Sequence, residues 1–191
     1  MDILRPATRV LAISGSLRSD SVNTSLLRAA AAVSGDDTWV ELWCGLGAIP
    51  PFNEDGERDT PASVADMRAA IAGADALLIS TPEYNGSIPG QLKNALDWAS
   101  RPYPDNALRG RPALVVGAST GLFGAVWAQA ELRKVLRTAG ADVLDDELPI
   151  GMADSAFTAD GSLADPDQAA ALTRVVDRLL HHAGRPVGAS R

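Results

Sequence analysis

The 191-residue sequence predicts a doubly wound parallel α/β sheet. Three observations carry that prediction. Runs of strand character alternate strictly with helical patterns, five of each, along the chain. Two of the runs, ALLIS at 76–80 and ALVVGA at 113–118, are continuously apolar, as parallel strands covered on both faces should be. Hydrophobic residues make up 46% of the chain, enough for one domain with a substantial core.

The predicted strands span 9–14, 39–43, 76–80, 113–118 and 141–144, and the helices about 22–34, 62–72, 89–100, 124–138 and 167–182. Pro61 and Pro89 suit a first helical turn, and Asp165-Pro166 opens the last helix in the same way. Gly73 and Gly140 follow helical runs, where a left-handed cap is wanted. In the third helix Ile88, Leu92, Ala95, Leu96 and Ala99 form an inward stripe with Trp98 in the core, while Lys93 and Asp97 are spaced for an i,i+4 pair. Trp127, Leu132, Val135 and Leu136 begin a fourth-helix face that packs on the sheet or on a partner. Cys44, read as lying on a predicted strand, is expected in the core rather than as a nucleophile. NEDGERD and DVLDDELP read as a solvated loop and a solvated strand end. No repeat or linker divides the chain, so a single domain over 1–191 is expected, with 183–191 as a flexible tail.

The formal net charge of −7 argues against nucleic acid or an anionic membrane as the main partner, since both favour clustered Lys and Arg. One cysteine permits no internal disulfide and fits a reducing compartment. The first ten residues lack a secretory pattern, and no apolar run is long enough to span a bilayer. A cytoplasmic protein is expected. No His, Cys or carboxylate cluster has metal-ligand spacing.

In doubly wound sheets, ligands sit beyond the carboxyl ends of the strands. Three loops open there: GSLRSDSVN after the first strand, TPEYNGSIPG after the third and ASTGLFG after the fourth. In the first, Gly15 permits a tight turn, Ser16, Ser19 and Ser21 offer hydroxyls, and Asn23 an amide. Arg18 supplies a cation able to grip a phosphate in bidentate fashion, and the helix start adds backbone N–H groups. Ser21 or Asp20 serving only as a helix cap, with Arg18 a surface residue, is the competing reading, and Asp20 is expected to face solvent. No GxxxxGK[ST] is present, which argues against a P-loop NTPase. In the second loop Asn85-Gly86 marks a turn, and Ser87 is placed to cap the following helix. Backbone groups of that turn suit a flat heterocycle, with Tyr84 as a ring surface. Glu83, Tyr84 and Asn85 are more functional side chains than a turn needs.

With both loops read, the sequence resembles the NAD(P)H-dependent FMN reductases, a flavodoxin-like group that includes quinone, chromate and azo-dye reductases. GSLRSDSVN matches the family's GSLRxxSxN, and PEYNGSIPGQLKNALDW matches PEYNxSxPGxLKNAxDW almost throughout. The resemblance implies sheet order 2-1-3-4-5 with helices on both faces. It implies that Ser16, Arg18, Ser21 and Asn23 bind the FMN phosphate and that Pro82, Glu83, Tyr84 and Asn85 line the isoalloxazine. Ser119, Thr120 and Gly121 complete the pocket. NADPH or NADH is the implied donor, passing a hydride to flavin N5 in ping-pong alternation with a small-molecule acceptor such as a quinone, chromate or azo compound. No protein acid or base is needed, so no catalytic residue is nominated. Arg101 and Arg109 are candidates for contacting a donor 2′-phosphate. A homodimer or homotetramer is also implied.

Three rival readings remain. A flavodoxin-type electron carrier shares the fold but has a Thr-rich phosphate loop. An FMN-binding sensor also fits. A serine hydrolase is suggested by GASTG at 117–121, with Ser119, Asp154 and His181 or His182 in triad order.

Overall fold

The computed structural model describes residues 7–184. Its strands are β1 (Thr8–Ser14), β2 (Thr38–Trp43), β3 (Ala76–Thr81), β4 (Pro112–Ala118), β5 (Asp142–Val143) and β6 (Pro149–Ile150). Its helices are α1 (Val22–Ala32), α2 (Ala62–Ala72), α3 (Gly90–Ala99), α4 (Val126–Thr138) and α5 (Pro166–Ala183). All strand pairings are parallel, in the order β2-β1-β3-β4-β5, with β6 also paired to β4. The flavodoxin-like order is as expected.

Parallel strands joined by helices must bury both faces, and the central strands divide their side chains with period two. Leu11, Ile13, Leu77, Ile79 and Val115 face α2, α3 and α4, meeting Met67, Ile71, Leu92, Trp98, Leu132 and Leu136. Val10, Ala12, Leu78, Leu114 and Val116 face α1 and α5, meeting Leu26, Leu27, Val175 and Leu179. Trp98 is 2% exposed and lies edge-on to Phe52 at 5.0 Å. Arg68 covers its ring and donates to its carbonyl; burial pushes that guanidinium's pKa down, and Glu57 partly restores it. The α3 stripe is buried as predicted, and Lys93 meets Asp97 at 2.7 Å.

Several expectations need correction. The fifth strand is not one run over 141–144 but two short pieces on β4. Asp142 and Val143 pair with Pro112 and Ala113, and Pro149 and Ile150 with Gly117 and Ala118. Between them Asp145, Asp146 and Glu147 leave the ladder for Arg137, Arg178 and Arg133 respectively. The Asp145 and Glu147 side chains are exposed, as expected of a solvated strand end, whereas the Asp146 side chain is only 9% exposed. The 53–59 loop is largely exposed, as expected, with Glu54 and Glu57 paired to Arg101. Gly73 has ordinary helical φ of −80°, and only Gly140 is left-handed at +97°. Pro61 and Pro89 are caps rather than first helical residues, whereas Pro166 is within the first turn behind the Asp165 cap. Helix α4 starts at Val126 rather than 124, because Gly124 and Ala125 both take positive φ. Leu132 and Leu136 of that helix are fully buried, but Trp127 is 55% exposed and off the packed face. Cys44 is exposed, since β2 stops at Trp43 before the chain turns. Helix α5 continues to Ala183 with Gly184 as its cap; the rest of the expected tail, 185–191, lies outside the described residues.

Candidate active site

All three predicted loops leave the carboxyl edge of the sheet. The first is seated by Gly15, whose N–H donates to the Ser80 carbonyl at 2.8 Å. A Cβ at Gly15 would stand 2.9 Å from Leu92 Cδ2 and 3.3 Å from Pro82 Cδ. Glycine is favoured here by the close approach of Leu92 and Pro82, not by a positive φ. Thr24 Oγ1 is 3.0 Å from Ser14 Oγ, and Ser16 Oγ accepts from Arg18 N–H at 3.3 Å. Ser21 is the N-cap of α1, accepting from Thr24 N–H at 3.4 Å. Arg18, Ser19 and Asp20 are exposed, and Arg18 has no ion-pair partner among the described residues. The N–H groups of Val22 and Asn23, in the first turn of α1, likewise meet no acceptor among the described residues. The loop therefore presents a cation and helix-start donors outward, the arrangement that receives an anion.

Asn23 differs from expectation. It is 1% exposed, and its amide points into the sheet. Nδ2 donates to Ala118 O at 2.9 Å, while Oδ1 accepts from Ala118 N–H at 3.0 Å and from Ser80 Oγ at 2.8 Å. The side chain thus ties α1 to the ends of β3 and β4, while its backbone N–H meets no acceptor among the described residues.

In the second loop Asn85 and Gly86 have φ of 55° and 75°, closing a two-residue turn in which Tyr84 and Ser87 exchange backbone hydrogen bonds at 3.0 and 3.2 Å. The turn is as predicted. Ser87 closes it instead of capping α3, whose cap position is Pro89. Pro82 is buried against Gly15, whereas Tyr84 and Asn85 are exposed. Glu83 turns sideways: one carboxylate oxygen accepts from both Trp127 N–H and Ala128 N–H at 3.1 Å. Ala125, the local cap of α4, has no side chain able to do this, so a residue from the second loop caps the helix that follows the third.

The third loop is held from beneath. Ser119 N–H donates to Ile150 O at 3.0 Å, Ala153 N–H to Ser119 O at 3.1 Å and Met152 N–H to Gly121 O at 3.0 Å. The 151–153 backbone therefore supports this loop. A Cβ at Gly124 would be 2.6 Å from Ile150 N, and one at Gly117 2.9 Å from Thr81 O. Thr120 and Gly121 are exposed. Beside them Leu122, Phe123, Trp127 and Met152 are 55–70% exposed, with the Phe123 and Trp127 rings edge-on at 5.3 Å. This apolar rim was missed in the sequence, although an apolar Leu-Phe pair between two glycines is a legible signal.

The triad reading fails on geometry. Ser119 Oγ donates to Gly121 O, and His182 Nε2 is bound to Asp142 Oδ2 at 2.7 Å. Asp142 pairs with Pro112 at the start of β4, and Ser119 follows its end, so seven residues at about 3.3 Å each, roughly 20 Å, separate the two ends. His181 shares the far end of α5.

One edge of the 2-1-3-4-5 sheet thus carries an outward cation with unpaired helix-start donors, a two-residue turn and an apolar rim, at the strand ends where flavodoxin-like proteins bind ligands. A family model for NADPH-dependent FMN reductase matches residues 8–155. An NAD(P)H-dependent FMN reductase of Pseudomonas aeruginosa is 45% identical over 159 residues, covering 82% of this chain and 85% of that protein. A 2-hydroxy-1,4-benzoquinone reductase of a Burkholderia species is 36% identical over 173 residues, 90% and 94% of the two chains. The solved structure of FerB, a flavoenzyme NAD(P)H:(acceptor) oxidoreductase from Paracoccus denitrificans, superposes with TM-score 0.83 at 37% identity, covering 93% of this chain and 97% of that one. The chain belongs to the NADPH-dependent FMN reductase family. It is an oxidoreductase whose cofactor is FMN and whose donor is a reduced nicotinamide nucleotide.

Proposed function

We propose that the protein reduces quinone-type acceptors with electrons from NADPH or NADH, holding FMN across the three loops. The observation that carries this reading is the pairing, on one sheet edge, of an uncompensated Arg18 beside free α1 N–H groups with a turn and rim suited to a flat ring. That donor set fits one phosphate dianion and offers too little charge for a triphosphate.

Arg18, the hydroxyls of Ser16 and Ser21, and the N–H groups of Val22 and Asn23 bind the phosphate. Pro82, Tyr84 and Asn85 line the ring, and Ser119, Thr120 and Gly121 close the third side. Glu83 serves the ring indirectly, by fixing the turn to α4. Bound there, FMN would supply the two-electron redox chemistry, with donor and acceptor using one exposed ring face in alternation. The protein's contribution is orientation, which is worth several kcal/mol without an acid or base. Leu122, Phe123, Trp127 and Met152 favour an uncharged planar acceptor over an oxyanion, and the benzoquinone reductase relative supports that choice over chromate; azo compounds share the planar chemistry.

The exposed apolar rim also supports a homodimer or homotetramer in which a second copy covers part of it. Among the described residues no helix is long and apolar enough to cross a membrane. With a single cysteine and the −7 charge, that supports a cytoplasmic enzyme without a nucleic-acid partner.

Initial rates at several fixed concentrations of benzoquinone test the reading. Parallel double-reciprocal lines are expected, and intersecting lines contradict a shared face.

A further inference from the structure

Beneath the third loop lies a buried amide. Gln129, in the first turn of α4, is 1% exposed. Its backbone N–H donates to Ala125 O at 3.0 Å, and its Nε2 donates to Gly124 O at 2.9 Å. One residue therefore holds the carbonyls of both Gly124 and Ala125. These two have positive φ, 57° and 61°, and form the bend by which the chain passes from loop to helix. Left-handed backbone at an alanine is strained, and such strain persists only where the surroundings over-determine it.

An amide is a poor choice here for stability alone. Its Oε1 is buried and meets no donor among the described residues. A half-satisfied polar group in a core costs more than an apolar side chain of the same size. Leu132 and Leu136 of the same helix show that apolar residues serve this core well. The amide is closely enclosed: a Cβ at Gly117 would stand 2.8 Å from Nε2 and 3.0 Å from Cγ of Gln129, so β4 packs directly on it.

What the bend sets is the course of the segment before it. Leu122 and Phe123 directly precede Gly124 and are 70% and 60% exposed, with the Phe123 ring edge-on to Trp127 at 5.3 Å. Glu83 fixes α4 from the second loop, and Gln129 fixes the joint between that helix and the rim. We propose that Gln129 is a positioning residue for acceptor choice: its buried amide fixes the Gly124-Ala125 bend and so holds Leu122 and Phe123 as the apolar surface on which a planar acceptor rests. The residue acts through Gly124 and touches no ligand itself. The inference rests on the reductase reading above.

Two acceptors test it, in FMN-saturated protein with NADPH or NADH as donor. Benzoquinone is flat and uncharged, whereas ferricyanide is a highly charged anion that gains nothing from an apolar surface. Gln129→Met keeps the side-chain length and removes the amide donor. It should lower kcat/KM for benzoquinone by about five-fold, the size expected for one lost hydrogen bond, through KM rather than kcat. The value for ferricyanide should be unchanged. A merely structural role would lower both together, through the fraction of protein folded. Phe123→Ala should lower the benzoquinone-to-ferricyanide ratio by itself, and adding Gln129→Met to it should cause little further fall, because both act through one surface. An unchanged ratio in Gln129→Met, equal losses for both acceptors, or full additivity in the double variant would overturn the proposal. If Gln129→Met does not fold, Gln129→Glu repeats the comparison, since a carboxylate has the same shape and no N–H to donate. An unchanged ratio in Phe123→Ala, which leaves the core intact, overturns the proposal in either case. If the unaltered protein reduces neither acceptor, it is the reductase reading that fails.

Discussion

Replacing Glu83 by alanine should destabilise the protein by about 2 kcal/mol. In the structure one carboxylate oxygen accepts two N–H groups of the first turn of α4, each at 3.1 Å. Hydrogen bonds to a charged group contribute about 1.5–3 kcal/mol each. Glu83 is only partly buried and water can reach Trp127, so the sum is discounted toward the upper range for losing a helix cap, about 2 kcal/mol. No other side chain substitutes, because the local cap position is Ala125. For a chain of this length the loss corresponds to a fall in Tm of about 4–8 °C. Glu83→Gln keeps an acceptor and loses the interaction of the charge with the helix N-terminus, so it should cost about 1 kcal/mol. Urea denaturation of the three proteins without FMN measures this directly. An alanine variant within about 0.5 kcal/mol of the parent would refute the cap, since surface substitutions ordinarily fall in that range.

Asn23→Ala should be more damaging, about 3 kcal/mol by denaturation, because it strands the buried N–H and carbonyl of Ala118 and the Ser80 hydroxyl. A loss below 1 kcal/mol would show that the amide does not fix the strand ends. Gly117→Ala places a Cβ 2.9 Å from the Thr81 carbonyl, and overpacking of that kind should cost about 1–3 kcal/mol; a neutral result would mean that the backbone yields there. Arg18→Ala should leave stability unchanged but weaken FMN binding by about 1.5–3 kcal/mol in a fluorescence titration. An unchanged dissociation constant would remove Arg18 from the phosphate site.

The sheet was legible because its signal is carried by core chemistry. ALLIS and ALVVGA read as covered parallel strands, and β3 and β4 lie at those positions. The Asn85-Gly86 turn was equally plain, since few other dipeptides accept two positive φ values in succession. What stayed hidden depends on partners distant in sequence. The split fifth strand is decided by Arg133, Arg137 and Arg178, none of them adjacent to the acids they bind. Asn23 and Glu83 were read as ligand contacts from the family motifs they belong to. The structure shows that both also hold the loops together, across separations of 95 and 44 residues. Gly15 was assigned to a turn when its real constraint is the approach of Pro82 and Leu92. The apolar rim at Leu122, Phe123 and Trp127 was visible as letters, but exposure is a property of the fold and not of the residue.

The most direct measurement is anaerobic mixing of the FMN-loaded protein with NADPH or NADH while the visible flavin absorbance is followed. Rapid bleaching, reversed on adding benzoquinone, is the expected result. A protein that binds FMN and stays yellow with both nucleotides would contradict the reductase account and point to a carrier or sensor on the same fold.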